Sequence, residues 1–214
     1  MGKETEIKLQ VTDAKAFVRK LKKLGARTVG PANGRVHELN TIFDTPEGGL
    51  AKHGQLLRIR KEIPVGASST GRKNDSGRIV LTFKAPTVRG VDEEGGRFKV
   101  REETELEVTD CDALTKIFEG LGMRGWFCYE KFRTTWKLGA KERWAKGLLI
   151  EVDETPVGVY VELEGSAEAI DRAAVALGYS RKDYLTKNYL TLYAEDCRRR
   201  GVQPGNMLFE AKKK

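Results

Sequence analysis

The segment Glu4-Thr5-Glu6-Ile7-Lys8-Leu9 alternates charged and apolar residues, and later strands repeat that alternation with different charges. A period of two places Glu4, Glu6, Lys8 and Gln10 on one face of a strand and Thr5, Ile7, Leu9 and Val11 on the other. One such strand describes any half-exposed antiparallel sheet, apolar inward and charged outward. The set of strands is more restrictive. Charged or polar faces carry Arg58 and Arg60, Thr82 and Lys84, Lys99 to Glu107 at every second position, Lys131 and Arg133, Glu151 and Asp153, and Glu162 and Glu164. Acids gather on the first and last strands and bases on the middle ones, whereas a solvated sheet face mixes signs to form cross-strand pairs. At least four helical segments also need apolar sheet surface to cover. These two features predict a sheet closed on itself, with charged faces inside and helices outside.

Eight strands enclose an interior wide enough for one small ligand. Inside it, Glu4, Glu6, Asp153, Glu162 and Glu164 would offer the oxygen ligands that Mg²⁺ or Mn²⁺ prefers. Lys8, Arg58, Arg60, Lys84, Lys131 and Arg133 would grip an elongated polyanion, arginine as a bidentate fork and lysine as a point charge. So many inward cations repel one another without a counter-charge, and a triphosphate supplies one.

Along the chain, residues 4–11 read as a strand, and Asp13 caps a helix that runs to Leu24 and stops at Gly25. Residues 26–43 read as mostly extended. Further strands are expected at 55–61, 78–84, 97–108, 127–138, 147–154 and 158–164, and helices at 110–121, 166–177 and 183–199. The glycine-rich stretches 64–77 and 86–96 lack the lysine–serine ending of a P-loop and read as flexible loops, candidate lids over a tunnel mouth. Residues Glu6–Arg27 and Glu103–Arg124 repeat one pattern without gaps, strand, aspartate cap, helix and Leu-Gly stop, and so predict two pseudo-symmetric β-α-β halves. A third helix before Leu177-Gly178 has the same length. Residues 1–200 are read as one tunnel domain and 201–214 as a frayed tail.

The 214 residues suffice for a full core, and no apolar run approaches the roughly 20 residues that span a bilayer. The first residues enter a charged strand directly, without the pattern of a signal peptide. Three cysteines, odd in number and without metal-ligand spacing, suit a reducing compartment, so a cytoplasmic location is expected. The net charge of +8 favours anionic partners. Trp126, Trp136 and Trp144 are read as core or tunnel-wall packing, and His37 and His53 as surface or structural residues in loops.

The ordered set Glu4-x-Glu6-x-Lys8, Phe43-Asp44-Thr45, Leu57-Arg58-Ile59-Arg60, Leu81-Thr82-Phe83-Lys84, Lys131-Phe132-Arg133, Asp153 and Glu162-Leu163-Glu164 resembles the CYTH superfamily, the triphosphate tunnel metalloenzymes. It covers nearly the whole chain. The resemblance implies an α+β fold with an eight-stranded antiparallel tunnel partly closed by helices. It implies metal binding by Glu4, Glu6, Asp153, Glu162 and Glu164, and triphosphate binding by Lys8, Arg58, Arg60, Lys84, Lys131 and Arg133. Lys187 resembles a lysine that the family places near the C-terminal helix at a tunnel mouth. Glu4, Glu6, Lys8, Lys84 and Arg133 are the expected catalytic set, joined by Glu103 and Glu105, which the repeat aligns with Glu6 and Lys8; Glu107 is the competing acid on that strand.

The expected function is metal-dependent hydrolysis of a triphosphate, whether tripolyphosphate, a nucleoside triphosphate or thiamine triphosphate. The alternative within the family is a class IV adenylyl cyclase forming cAMP and pyrophosphate from ATP. A non-catalytic polyphosphate or nucleic-acid binder is motivated by the net charge, Arg198–Arg200 and Lys212–Lys214, but clustered carboxylates repel nucleic acid. The expected partner is a triphosphate-containing small molecule, with no membrane and no nucleic acid; a homodimer is compatible with the sequence.

Overall fold

The computed structural model describes residues 2–30, 34–66, 77–87, 96–139 and 142–210. Most of the two expected lid loops lies outside these residues. In chain order the elements are β1 (Gly2–Val11), α1 (Ala14–Lys23), β2 (Arg27–Thr28), β3 (Arg35–Asp44), α2 (Gly49–Lys52), β4 (Leu56–Pro64), β5 (Arg78–Pro86), β6 (Lys99–Val108), α3 (Cys111–Gly120), β7 (Arg124–Lys137), β8 (Leu149–Thr155), β9 (Gly158–Glu164), α4 (Ala167–Ala176) and α5 (Tyr189–Arg200).

Eight of the strands close an antiparallel barrel in the order β7-β3-β4-β5-β6-β1-β9-β8, and β8 returns to pair with β7. The short β2 adds to β7 outside the closed ring. Closure depends on the length of β7, whose N-terminal part pairs with β3 while its C-terminal part pairs with β8.

The repeat seen in the sequence is a repeat of structure. Strands β1 and β6 are each ten residues long, and after two further residues each leads into a ten-residue helix, α1 or α3. Asp13 accepts a hydrogen bond from Ala16 N at 2.8 Å, and Asp110 accepts from the N–H groups of Asp112 and Ala113, so both helices begin on an aspartate cap. Both end before a glycine at positive φ, Gly25 at 74° and Gly122 at 82°. The helix α4 follows β9 with the same spacing and length, capped by Ser166.

The apolar faces of the strands point outward, beneath these helices. Ile7 and Leu9 of β1, with Val161 and Leu163 of β9, pack against Phe17 and Leu21 of α1 and Ile170 and Ala173 of α4. Phe43, Leu57 and Ile59 pack against Phe118 of α3. Burial of each large apolar side chain is worth about 1.5–3 kcal/mol, so the main stabilising layer lies between barrel and helices and the interior is left for charged groups.

Two expectations are corrected at the C-terminal end. A helix was expected from residue 183, but α5 begins at Tyr189, where Asn188 caps it through Thr191 N. Before the cap, Leu185 exchanges two backbone hydrogen bonds with Lys8, at 2.8 and 2.9 Å, and this bridge holds the segment extended against β1. Residues just past Gly201 were expected to fray, yet Met207 is buried and its backbone bonds to Cys128 and Glu130 of β7. Met207 joins Tyr189 and Leu192 of α5 and the inward Ile42, Phe127, Tyr129 and Tyr160 in a second apolar cluster. No helix among the described residues is long and apolar enough to cross a membrane.

Candidate active site

Closure brings the charged faces together around a cavity of about 450 Å³. Of the expected residues, Glu4, Glu6, Lys8, Arg58, Arg60, Lys84, Glu103, Glu105, Lys131, Arg133, Glu162 and Glu164 all line it. The register explains the convergence. Glu6 lies opposite Lys99 on β6 and Glu164 on β9, Lys8 opposite Glu162, Lys84 opposite Glu103, and Arg133 opposite Asp153. Of the three candidate acids on β6, Glu103 and Glu105 face the cavity and Glu107 is not among its lining residues.

Acids and bases neutralise one another along the tunnel. Lys84 Nζ lies 2.6 Å from Glu4 and 3.2 Å from Glu103. Lys8 Nζ lies 3.2 Å from Glu6 and 3.1 Å from Glu162, beneath the ring of Tyr189. Burial alone would lower the pKa of Lys8, but Glu162 and Glu6 raise it above the ordinary lysine value. Burial would raise the pKa of Glu6, but Lys8 and Lys99 pull it down to about 2. Arg58 donates to Thr82 Oγ1 at 3.1 Å and to the Tyr129 hydroxyl at 3.4 Å, which fixes its guanidinium. Arg60 reaches Glu105 at 3.3 Å and Glu62 at 2.8 Å.

Two carboxylates on the cavity wall behave differently. Burial raises the pKa of Glu164 to about 7, with the like charges of Glu151 and Glu4 acting in the same direction. No ion pair to Glu164 occurs among the described residues. Burial also carries Glu151 to about 7; Arg133 opposes the shift, and Glu162 and Asp153 add to it.

Asp153 and Lys187 stand apart from the cavity surface. Asp153 is fully buried and accepts hydrogen bonds from Lys131, Arg133 and the Tyr189 hydroxyl. Its oxygens are occupied in placing two cations. Lys187 is half-exposed and pairs with Glu195 at 2.6 Å, outside the lining of the cavity; its neighbour Asn188 takes a place there instead.

Several positions in or beside the cavity were not among the expected site residues. Glu38 is buried beside Lys131 at 3.5 Å and Arg133 at 3.7 Å. Burial pushes its carboxyl up, but Lys131 and Arg133 hold it down at about 2. Lys99 and Arg101 line the cavity on the face of β6 already recognised as charged, and Glu151 does so on β8. Burial and the nearby charge of Lys8 lower the pKa of Lys99 to about 8. Trp136 is buried and Trp144 packs against the same core, while Trp126 is half-exposed and lines the cavity as part of the tunnel wall.

The donor set fits a hard divalent cation. Glu4, Glu6, Glu162 and Glu164 offer carboxylate oxygens to the cavity, although no group of three or more His, Cys, Asp or Glu among the described residues is placed to hold a metal ion by itself. Mg²⁺ is commonly held in this way, by one or two carboxylates plus the phosphates of a substrate.

Comparison with known proteins follows the same lines. The sequence matches the CYTH domain family over residues 2–189. A Methanocaldococcus jannaschii protein whose name gives adenylate cyclase as a provisional activity is 24% identical over 200 residues, covering 88% of this chain and 97% of its own. A Vibrio parahaemolyticus structure with the same provisional name superposes with a TM-score of 0.65 at 18% identity, covering 87% of this chain and 94% of its own. A Hippeastrum protein, named for adenylyl cyclase and described by a dominant triphosphatase activity, superposes with a TM-score of 0.54 at 20% identity, covering 94% and 97%.

Proposed function

The chain belongs to the CYTH domain family, and from that premise we propose that it is a divalent-metal-dependent phosphohydrolase acting on a triphosphate bound in the charged tunnel. The observation that carries this reading is the convergence of six cations, Lys8, Arg58, Arg60, Lys84, Lys131 and Arg133, on one cavity whose wall also presents four carboxylates suited to a metal.

The chain's own residues divide the work. Lys84, Lys8 and Arg60 exchange their carboxylate partners for phosphate oxygens, which conserves charge pairing as the substrate enters. Arg58 and Arg133 are pre-oriented by Tyr129, Thr82 and Asp153, so little is lost in ordering them. Glu4, Glu6, Glu162 and Glu164 would hold the cation, which supplies neutralisation of charge on the phosphate oxygens. Glu151, on the cavity wall beside Arg133, is placed to accept the proton of an attacking water. The enclosing barrel limits access of bulk water, which strengthens each of these interactions.

Hydrolysis is preferred to cyclisation because the phosphate-gripping set is complete, whereas cyclisation additionally demands that a ribose 3′-hydroxyl be aligned on the α-phosphorus. Product analysis separates the two. With ATP and Mg²⁺ or Mn²⁺, the proposal expects ADP and phosphate; cAMP and pyrophosphate would assign the cyclase reaction instead.

A further inference from the structure

A β-bulge at the N-terminal end of β7 sets one aromatic side chain apart from the strand's alternation. Ile42 of β3 lies opposite Phe127, but the next residue, Phe43, lies opposite Gly125, which leaves Trp126 as the extra residue. A bulge of this kind re-aims a side chain, and here it turns Trp126 to the tunnel mouth, 49% exposed and on the cavity wall. The strands approach closely beside it, where a Cβ on Gly125 would lie 3.0 Å from Thr41 Cγ2 and that methyl would have to shift.

Trp126 heads a continuous aromatic series that runs inward to the cations. Its ring lies 5.9 Å from Phe127, Phe127 stacks on Tyr129 at 5.8 Å, and the Tyr129 hydroxyl accepts a hydrogen bond from Arg58. The lining therefore changes character along the tunnel. Lysine, arginine and carboxylate line the depth, while Trp126, Leu56, Leu190, Gln55 and Asn188 form one mouth. Glu151 pairs with Thr135 near the far end of β7, so the acidic end and the Trp126 end are separated along one strand. A cavity of about 450 Å³ falls within the range of roughly 300–1,000 Å³ that encloses a whole drug-sized molecule.

We infer that Trp126 is a stacking platform for an aromatic head group carried by the triphosphate, so that the tunnel takes an organic triphosphate, nucleoside or thiamine, with its ring at the Trp126 mouth and its phosphates among the cations. The inference rests on reading the tunnel as a triphosphate site. An aromatic face binds any base or heteroaromatic ring, which leaves the head group to be distinguished by experiment.

The test is equilibrium binding by isothermal titration calorimetry on the full chain, without added metal so that binding is read apart from turnover. ATP, thiamine triphosphate and inorganic tripolyphosphate are titrated into wild type, Trp126→Ala and Trp126→Phe. The readout is the ratio of affinity for each organic triphosphate to that for tripolyphosphate, which cancels any general loss of folded protein. The ratio for at least one of the two should fall about 5- to 150-fold in Trp126→Ala, the loss expected for one base–aromatic stack, and recover in Trp126→Phe. The compound whose ratio falls identifies the head group. A fall of less than fivefold for both overturns the platform and leaves the proposed function standing. Failure of wild type to bind any of the three, both without metal and when the titration is repeated with Mg²⁺ present, overturns the proposed function, and the platform with it.

Discussion

The Arg133 guanidinium grips Asp153 through two parallel hydrogen bonds of 2.7 Å, from Nε to Oδ1 and from Nη2 to Oδ2. Lys131 adds a third at 2.8 Å and the Tyr189 hydroxyl a fourth at 2.6 Å, so a carboxylate at the base of the tunnel wall is saturated by donors. Its neighbours on the cavity surface, Glu162 and Glu164, sit on the adjacent strand with different surroundings. Burial, opposed and outweighed by Arg133 and Lys8, leaves Glu162 well below the ordinary glutamate pKa, while Glu164 is pushed up to about 7. Adjacent inward carboxylates thus serve separate purposes, anchoring cations or remaining available to a ligand.

Asp153→Asn tests the anchor. The amide keeps the shape but removes one of the two counter-charges, Asp153 and Glu38, that Lys131 and Arg133 share, and breaking a buried pair costs up to about 3–5 kcal/mol. Thermal denaturation should show a large fall in Tm, and the KM for a triphosphate should rise as Lys131 and Arg133 lose their positions. The metal concentration at half-maximal activity should change little. A shifted metal requirement with an unchanged Tm would return Asp153 to the metal ligands.

Glu164→Gln tests the available carboxylate. With a folded pKa raised from 4.5 to about 7, the folded chain binds more protons at this site than the unfolded chain between those pH values. Its ionisation therefore costs stability as pH rises through that window. Glutamine removes the cost, so Tm at pH 8 should hold or increase, while metal-dependent turnover should fall by at least about 100-fold, the lower bound typical of losing a group that acts in the transition state. A lower Tm with unimpaired turnover would show that Glu164 is structural.

Glu38 has the opposite sign. Its pKa is depressed from 4.5 to about 2, so its contribution is fully present above pH 4.5 and is lost as pH falls toward 2. The shift corresponds to roughly 3 kcal/mol. In urea denaturation Glu38→Gln should be less stable than wild type at pH 7 by about that amount, and the two should converge near pH 2. Parallel curves across the whole range would contradict the ion-pair origin of the shift.

Lys84 and Lys187 separate a tunnel cation from one outside it. Lys84→Ala should raise the KM for a triphosphate about 10- to 150-fold, the value of one hydrogen bond from a charged donor. Lys187→Ala should leave KM within about twofold, because that side chain is half-exposed and paired with Glu195. Equal losses in the two variants would place Lys187 at the tunnel after all.

The barrel could be read from the sequence because alternation survives on the strands that helices cover. Glu4-x-Glu6-x-Lys8 and Arg58-x-Arg60 each carry charge inward and Ile or Leu outward, so period and sign are visible in a few residues. The helices were visible through their caps, Asp13 and Asp110, and their glycine stops. Glu38 was hidden because β3 reads His37-Glu38-Leu39-Asn40, where polar residues occupy both faces and the period dissolves. Trp126 was read only as core or tunnel-wall packing, since a bulge inserts one residue into the count and only the pairing of β3 with β7 reveals where the side chain is aimed. The start of α5 was misplaced because the extended bridge between Leu185 and Lys8 is a tertiary interaction, without trace in local propensity.

The central claim is that the charged tunnel hydrolyses a triphosphate with the help of a divalent cation. The most direct measurement is phosphate release from inorganic tripolyphosphate by the full chain, with Mg²⁺, with Mn²⁺ and with excess chelator, beside Glu6→Gln. Turnover is expected with at least one of the two cations, with its loss on chelation and its near loss in the variant. Absence of metal-dependent release from tripolyphosphate, and likewise from ATP and thiamine triphosphate, would contradict it.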